Sequence, residues 1–144
     1  MLVQQILSSK PTQGVTHVAP DALVSEAANI LSNKRIGTVV VSKDGASLDG
    51  ILSERDIVRE LGKRGGACLN DQVADLMTKK IVTCAKEDTA DAVLEMMTEG
   101  RFRHLPVVEE GKMIGLISIG DVVKARLAEL SMEKDALEGM IMGH

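Results

Sequence analysis

Gly50-Ile51-Leu52-Ser53-Glu54-Arg55-Asp56-Ile57-Val58 returns later in the chain as Gly115-Leu116-Ile117-Ser118-Ile119-Gly120-Asp121-Val122-Val123. The offset is 65 residues at the glycine, the serine and the aspartate alike. Upstream the halves align at 66: Val15-Thr16 meets Ile81-Val82, Ile30-Leu31 meets Met96-Met97, and Arg35-Ile36 meets Arg101-Phe102. A slightly longer turn around Asp44 to Leu48 in the first copy accounts for the change. An internal repeat governs any fold assignment, and here it marks two matching sites.

Each copy spans only about 50 residues, a size that buries too little surface for comfortable stability alone. The copies are therefore expected to share a core within the 144-residue chain. Apolar residues make up 44 %, yet Phe102 is the only aromatic, so the core must be Val, Ile, Leu, Met and Ala, softened by eight methionines. A net charge of −4 and a single aromatic argue against a nucleic-acid surface. Cys68 and Cys84 have no CxxC partner and His17, His104 and His144 are scattered, so no metal site is expected. No apolar run approaches the roughly 18 to 20 residues that span a bilayer, so no membrane partner is expected. Two cysteines and an N-terminus unlike a signal peptide predict a reduced, cytoplasmic setting.

Hydrophobic periodicity predicts the elements. A short helical turn with Val3, Ile6 and Leu7 precedes a loop containing Pro11 and Gly14. The first copy then reads as strand Val15 to Val18, a helix opened by Pro20-Asp21, strand Gly37 to Val41, strand Leu48 to Ser53, and a helix from Ser53 to about Leu61. A glycine-rich flexible connector, Gly62 to Asn70, leads to a helical turn over Val73 to Thr78. The second copy repeats the order: strand Ile81 to Cys84, a helix with Val93, Met96 and Met97, strands Leu105 to Val108 and Met113 to Ser118 about the turn Glu110-Gly111, and a helix from Ile119 to about Leu130. A last amphipathic helix carries Leu137, Met140 and Ile141. The fold class is α+β, with each copy β-α-β-β-α. Domain bounds are 1–66 for the N-terminal segment and first copy, 67–130 for the second, and 131–144 for the C-terminal helix.

Ser-x-x-Asp where a strand meets a helix has a structural meaning of its own. Ser53 and Ser118 can N-cap their helices with Asp56 and Asp121 in a capping box, contributing about 0.5–2 kcal/mol per cap. The recurrence in register adds a second meaning. Each helix N-terminus offers free N–H groups and a positive dipole end to an anion, and a carboxylate one turn in suits a ribose diol. Phosphate on the serine and backbone, ribose on the aspartate, together describe a nucleotide. Gly62-Lys63-Arg64-Gly65-Gly66 lacks P-loop spacing, Gly115 to Gly120 misses the nucleophile elbow, and no catalytic set can be assembled, so no enzyme activity is expected.

With Val73-Ala74-Asp75-Leu76-Met77-Thr78 and Arg103-His104-Leu105-Pro106-Val107-Val108 added, the chain resembles a tandem pair of CBS motifs, a Bateman module, over about residues 10–130. Its ending, Ala128 through Leu137 to Met142-Gly143, is similar to small stand-alone bacterial members. The resemblance implies two motifs packed pseudo-symmetrically through their sheets, leaving two clefts for adenosine-containing ligands. By position, the second cleft would hold adenine with Ile81, Val82, Thr83, Cys84, Leu105 and Pro106, and ribose with Asp121. Ser118 and the amides of Ile119 and Gly120, with Arg103 or His104, would take phosphate. In the first cleft Thr16, His17, Val18, Ile36, Gly37 and Thr38 would hold the base, Asp56 the ribose, and Ser53, Glu54 and Arg55 would meet the phosphate.

The second cleft is preferred, because Arg103 and His104 add positive charge where the first copy has Gly37-Thr38, and Gly120 leaves the helix end open. AMP is the favoured ligand there. Arg55 makes a diphosphate such as NAD or ADP plausible in the first cleft, with ATP a further alternative and no catalytic cofactor. The implied function is a regulatory sensor of energy or redox state, dimerising through the helices at 54–61 and 119–130 and signalling to a protein the sequence does not name. The alternative is a structural dimerisation module with degenerate pockets.

Overall fold

The computed structural model describes residues 1–10 and 15–141. The expected loop at Pro11 to Gly14 and the Met142-Gly143 ending lie outside them. The elements run α1 Val3–Ser9, β1 His17–Val18, α2 Val24–Lys34, β2 Thr38–Val41, β3 Gly50–Ser53, α3 Glu54–Arg64, a 3-10 helix Gly65–Asn70, α4 Val73–Leu76, α5 Ala90–Gly100, β4 His104–Glu109, β5 Lys112–Ser118 and α6 Ile119–Ile141. The mixed α+β class follows. β1 pairs parallel to β2, with Val18 opposite Val41, and β2 pairs antiparallel to β3, with Val39 opposite Leu52. β4 and β5 form a separate two-stranded hairpin turned by Glu110 and Gly111, both at positive φ.

The chain divides into two compact units. One gathers α1, Thr83–Val108 and the chain from Gly115 onward. The other holds the chain from β1 to Val82 together with Glu109–Ile114. Their cores correspond position by position. Val24, Ala27 and Leu31 of α2 match Ala90, Val93 and Met97 of α5, while Leu52 and Ile57 match Ile117 and Val122. All ten are at most 6 % exposed.

A second repeat, offset by 70 residues, emerges in the short helices. Each docks on the copy it does not precede in the aligned order: α1 on the second copy, α4 on the first. Val3 donates its N–H to Asp88 O at 2.9 Å and Ala90 donates to Met1 O at 2.9 Å. Val73 donates to Ala22 O at 2.8 Å and Val24 donates to Asp71 O at 2.9 Å. Val3 and Val73 are both fully buried. The glycine that opens each repeated stretch makes room for the same helices. A Cβ on Gly115 would lie 2.9 Å from a Leu7 methyl, and one on Gly50 would lie 2.5 Å from Met77 Sδ.

Several expectations change, the first strand shortening to His17–Val18 and the helical turn at Val73 ending at Leu76 among them. α2 begins at Val24 rather than Pro20-Asp21, because the bridge between Leu23 and Gln72 holds Leu23 extended. The connector Gly62 to Asn70 is not a flexible loop: α3 continues to Arg64, a 3-10 helix follows, and Cys68 is fully buried. Arg64 fastens this stretch by binding Glu60 at 2.9 Å and also Asp71. The expected break near Leu130 is absent, and α6 is one helix of 23 residues, about 34 Å long at 1.5 Å per residue. No proline or glycine interrupts it between Asp121 and Glu138.

The strand at Ile81 to Cys84 contracts to one parallel bridge, Cys84 with Val107. In the first copy Val40 donates to Thr16 O at 3.2 Å and Ser42 to Val18 O at 2.9 Å. Val108 reproduces the second bond, to Cys84 O at 2.9 Å. Pro106 stands where Val40 does and has no N–H to reproduce the first.

Gly115→Ala should destabilise the chain by about 1–3 kcal/mol through overpacking against Leu7, and Leu7→Ala in the same chain should recover part of that loss. A urea-denaturation double-mutant cycle showing strictly additive costs would contradict this docking of α1.

Candidate functional site

Both Ser-x-x-Asp stretches form reciprocal helix caps. At α3, Asp56 donates its N–H to Ser53 Oγ at 3.2 Å, while Asp56 Oδ2 accepts from Ser53 N and Oγ, each at 3.0 Å. At α6, Asp121 donates its N–H to Ser118 Oγ at 3.1 Å and its Oδ2 accepts from Ser118 N at 2.9 Å. The next amide of each helix is engaged as well. Ile119 donates to Arg103 O at 2.8 Å, and Glu54 to Gly37 O at 2.9 Å. Of the two amides expected to receive phosphate, Ile119's is thus committed to the carbonyl of Arg103, just ahead of β4. Gly120's lies outside these bonds, and a Cβ there would meet only Ser118 Oγ, at 3.7 Å.

The aspartates differ in their cations. Asp56 Oδ1 accepts from Arg59 of its own helix at 3.4 Å. Asp121 Oδ2 is met by Lys10 Nζ at 3.0 Å, and the same ammonium donates to Leu116 O at 2.9 Å. Lys10 escaped the sequence reading because it stands outside both aligned copies; the 70-residue repeat of α1 and α4 was the available signal. Burial disfavours the ionised form of Asp121. The Ser118 amide and hydroxyl and the Lys10 ammonium outweigh it and hold the carboxyl below its usual value.

His104 goes the other way. Burial lowers its pKa, helped by the charges of Lys10 and Arg103, and Asp121 only partly opposes this. The imidazole is therefore neutral near pH 7. The expectation that His104 adds positive charge is corrected: the cation that meets Asp121 is Lys10.

Thr83, Cys84, Arg103, His104, Leu105, Pro106 and residues 118–121 all belong to the unit that contains α1, whereas Ile81 and Val82 belong to the other. Cys84, Leu105 and Pro106 are buried, and Cys84's thiol is pushed up to about 11 by burial and by the charge of Asp88. It is a packing group. In the first copy Thr16, His17, Val18, Ile36, Gly37, Thr38 and residues 53–56 fall in one unit. Val18 is core and Ile36 packs against it, Thr38 is buried, Thr16 Oγ1 accepts from Lys34 at 3.4 Å, the His17 ring lies under Gly45, and Glu54 and Arg55 are exposed. Among the described residues no cluster of His, Cys, Asp or Glu could hold a metal, and no helix is long and apolar enough to cross a membrane.

Comparison with known proteins agrees with the repeat. The CBS domain model matches twice, at residues 3–63 and 73–128. A CBS domain-containing protein of Arabidopsis thaliana, CBSX3, mitochondrial, is 35 % identical over 127 residues; the match covers 85 % of this chain and 62 % of that protein. The chain thus spans less than two thirds of that relative's length. The crystal structure of the CBS-domain containing protein ATU1752 from Agrobacterium tumefaciens superposes with a TM-score of 0.82 at 44 % identity, covering 88 % of this chain and 99 % of that one. CBSX2 crystallised in complex with AMP superposes with a TM-score of 0.74 at 30 % identity, covering 88 % and 96 %.

The half-buried His104 predicts a pH dependence. Its folded pKa lies below the ordinary 6.5, so the unfolded chain binds its proton first. The stability it confers is present above pH 6.5 and is lost as pH falls through the folded pKa. Urea midpoints at pH 7.5 and 5.5 should fall more for the wild type than for His104→Gln; equal falls would show that His104 is not the group concerned.

Proposed function

The chain belongs to the CBS-domain family as a tandem pair, and on that premise we propose that it is a regulatory module binding an adenosine nucleotide, with its principal site around Asp121. The observation that carries this is the carboxylate of Asp121. It is held ionised at the start of α6 beside Lys10, an acceptor for a ribose diol next to a cation for a phosphate. AMP is the ligand we favour, supported by the AMP-bound relative at 30 % identity. In the first copy Arg55 replaces Gly120, and there a diphosphate such as NAD or ADP, or else ATP, is the proposed occupant. We assign the chain no reaction and no catalytic cofactor.

Reporting energy or redox state to a partner protein requires dissociation constants of roughly 1 µM to 1 mM, or about −8 to −4 kcal/mol. The ligand shifts a conformational balance only by its differential affinity for the two states. We place this activity in a reducing, cytoplasmic setting, in keeping with two free, buried cysteines.

A homodimer is part of the same reading. Val58 of α3 and Leu127, Leu137 and Ile141 of α6 are each at least 60 % exposed, more apolar surface than these helices need to show water. Light scattering at micromolar concentration should give twice the 15.4 kDa chain mass; the monomer mass would rule the dimer out.

Replacing Asp121 by Ala should abolish AMP binding at this site in titration calorimetry, with a cap-sized stability loss of about 0.5–2 kcal/mol. Unchanged AMP affinity would refute the ribose role. One observation favours the alternative of a dimerisation module with degenerate pockets: both Ser-x-x-Asp pairs are already satisfied as caps. Absorbance near 260 nm carried by the purified chain, which has no Trp or Tyr, separates the two readings.

A further inference from the structure

Among the described residues Asp121 is met by Lys10 from another element, whereas Asp56 is met by Arg59 of its own helix. Lys10 follows the last residue of α1, whose buried Val3 and Ile6 anchor it to the same unit as α6. The ammonium is thereby tethered beside the carboxylate, on a four-carbon stem that lets the charge swing by a few ångströms without moving the helix. Lys10 and Asp121 side chains are 30 % and 24 % exposed, against 63 % for the Arg59 that meets Asp56. Lys10 is the cation in contact with Asp121, and its charge also reaches the neighbouring His104.

Resting on the nucleotide reading above, we propose that Lys10 selects for a phosphorylated ligand by acting as the exchangeable counter-ion of Asp121. In the ligand-free state it holds the carboxylate. When a ribose diol takes the carboxylate, the ammonium transfers to the 5′-phosphate of the same ligand. One charge-assisted contact replaces another, so AMP gives up little. Adenosine has no phosphate to offer, and its ribose must compete with Lys10 for Asp121 without return. The site therefore discriminates by ligand charge, and the discriminating residue lies outside both repeated stretches.

The test is titration calorimetry with AMP and with adenosine on the full chain carrying Asp56→Asn, which silences the first-copy site, compared with the same chain bearing Lys10→Met or Lys10→Arg. Lys10→Met should weaken AMP about tenfold and leave adenosine unchanged or tighter. Lys10→Arg should keep AMP within about threefold of the parent, because it preserves the charge. A purely structural role for Lys10 would weaken both ligands by one factor, and that result, or unchanged AMP affinity in Lys10→Met, overturns the proposal while the nucleotide reading stands. A parent chain that binds neither ligand removes the nucleotide reading and the role of Lys10 with it. Thermal melts of each variant confirm folding, and a collapsed Lys10→Met leaves the decision to Lys10→Arg, where AMP and adenosine weakened by the same factor again overturn the proposal.

Discussion

Neither repeated stretch can close a core by itself, and the docking of a short helix from outside each copy is the constraint on which the rest depends. A copy of about 50 residues buries too little apolar surface alone. Val3 and Ile6 of α1 fill the second copy's core, and Val73 with Leu76 fills the first copy's. The backbone is locked by the same pair of hydrogen bonds in each case. Gly50 and Gly115 follow from this docking. They stand in the strands leading to the candidate sites, yet their smallness serves Met77 and Leu7, and a side chain there would push the helices away.

That docking also shapes the chemistry. Because α1 ends beside Asp121, the chain that completes the core delivers an ammonium that joins the Ser118 amide in holding the carboxyl below its usual value. The first copy receives its helix from α4, after which Lys80 stands at the position of Lys10, yet the cation that meets Asp56 is Arg59 of its own helix. Two sites of similar sequence thus acquire different electrostatics, one ion pair bridging elements and one confined to a single helix. Capping and ligand binding are compatible uses of these aspartates, since the cap engages one carboxylate oxygen and the serine hydroxyl while the helix end keeps its positive field.

A single residue accounts for the clearest break in the symmetry. Pro106 removes the donor that Val40 supplies in the first copy, and the second copy's leading strand shrinks to the Cys84 bridge. Arg35 and Arg101, by contrast, preserve the symmetry at some cost. Both end their helices in the left-handed region, at φ 54° and 58°, where glycine is the easier residue. Neither side chain is buried, and nothing in the structure explains the choice of arginine.

The repeat, the α+β class, the order of strands and helices and both Ser-x-x-Asp caps were legible in the sequence alone, because each rests on local periodicity or on residues three apart in the chain. The family was legible for the same reason. What only the tertiary structure decided are relations between residues distant in sequence: Lys10 with Asp121, Leu7 with Gly115, and the surroundings that lower the pKa of His104. A carboxylate's partner and an imidazole's solvation are set by which elements pack around them. Pattern along the chain carries that information only where both partners fall inside the same repeat, and Lys10 belongs to the 70-residue repeat of the short helices while Asp121 belongs to the 65-residue one.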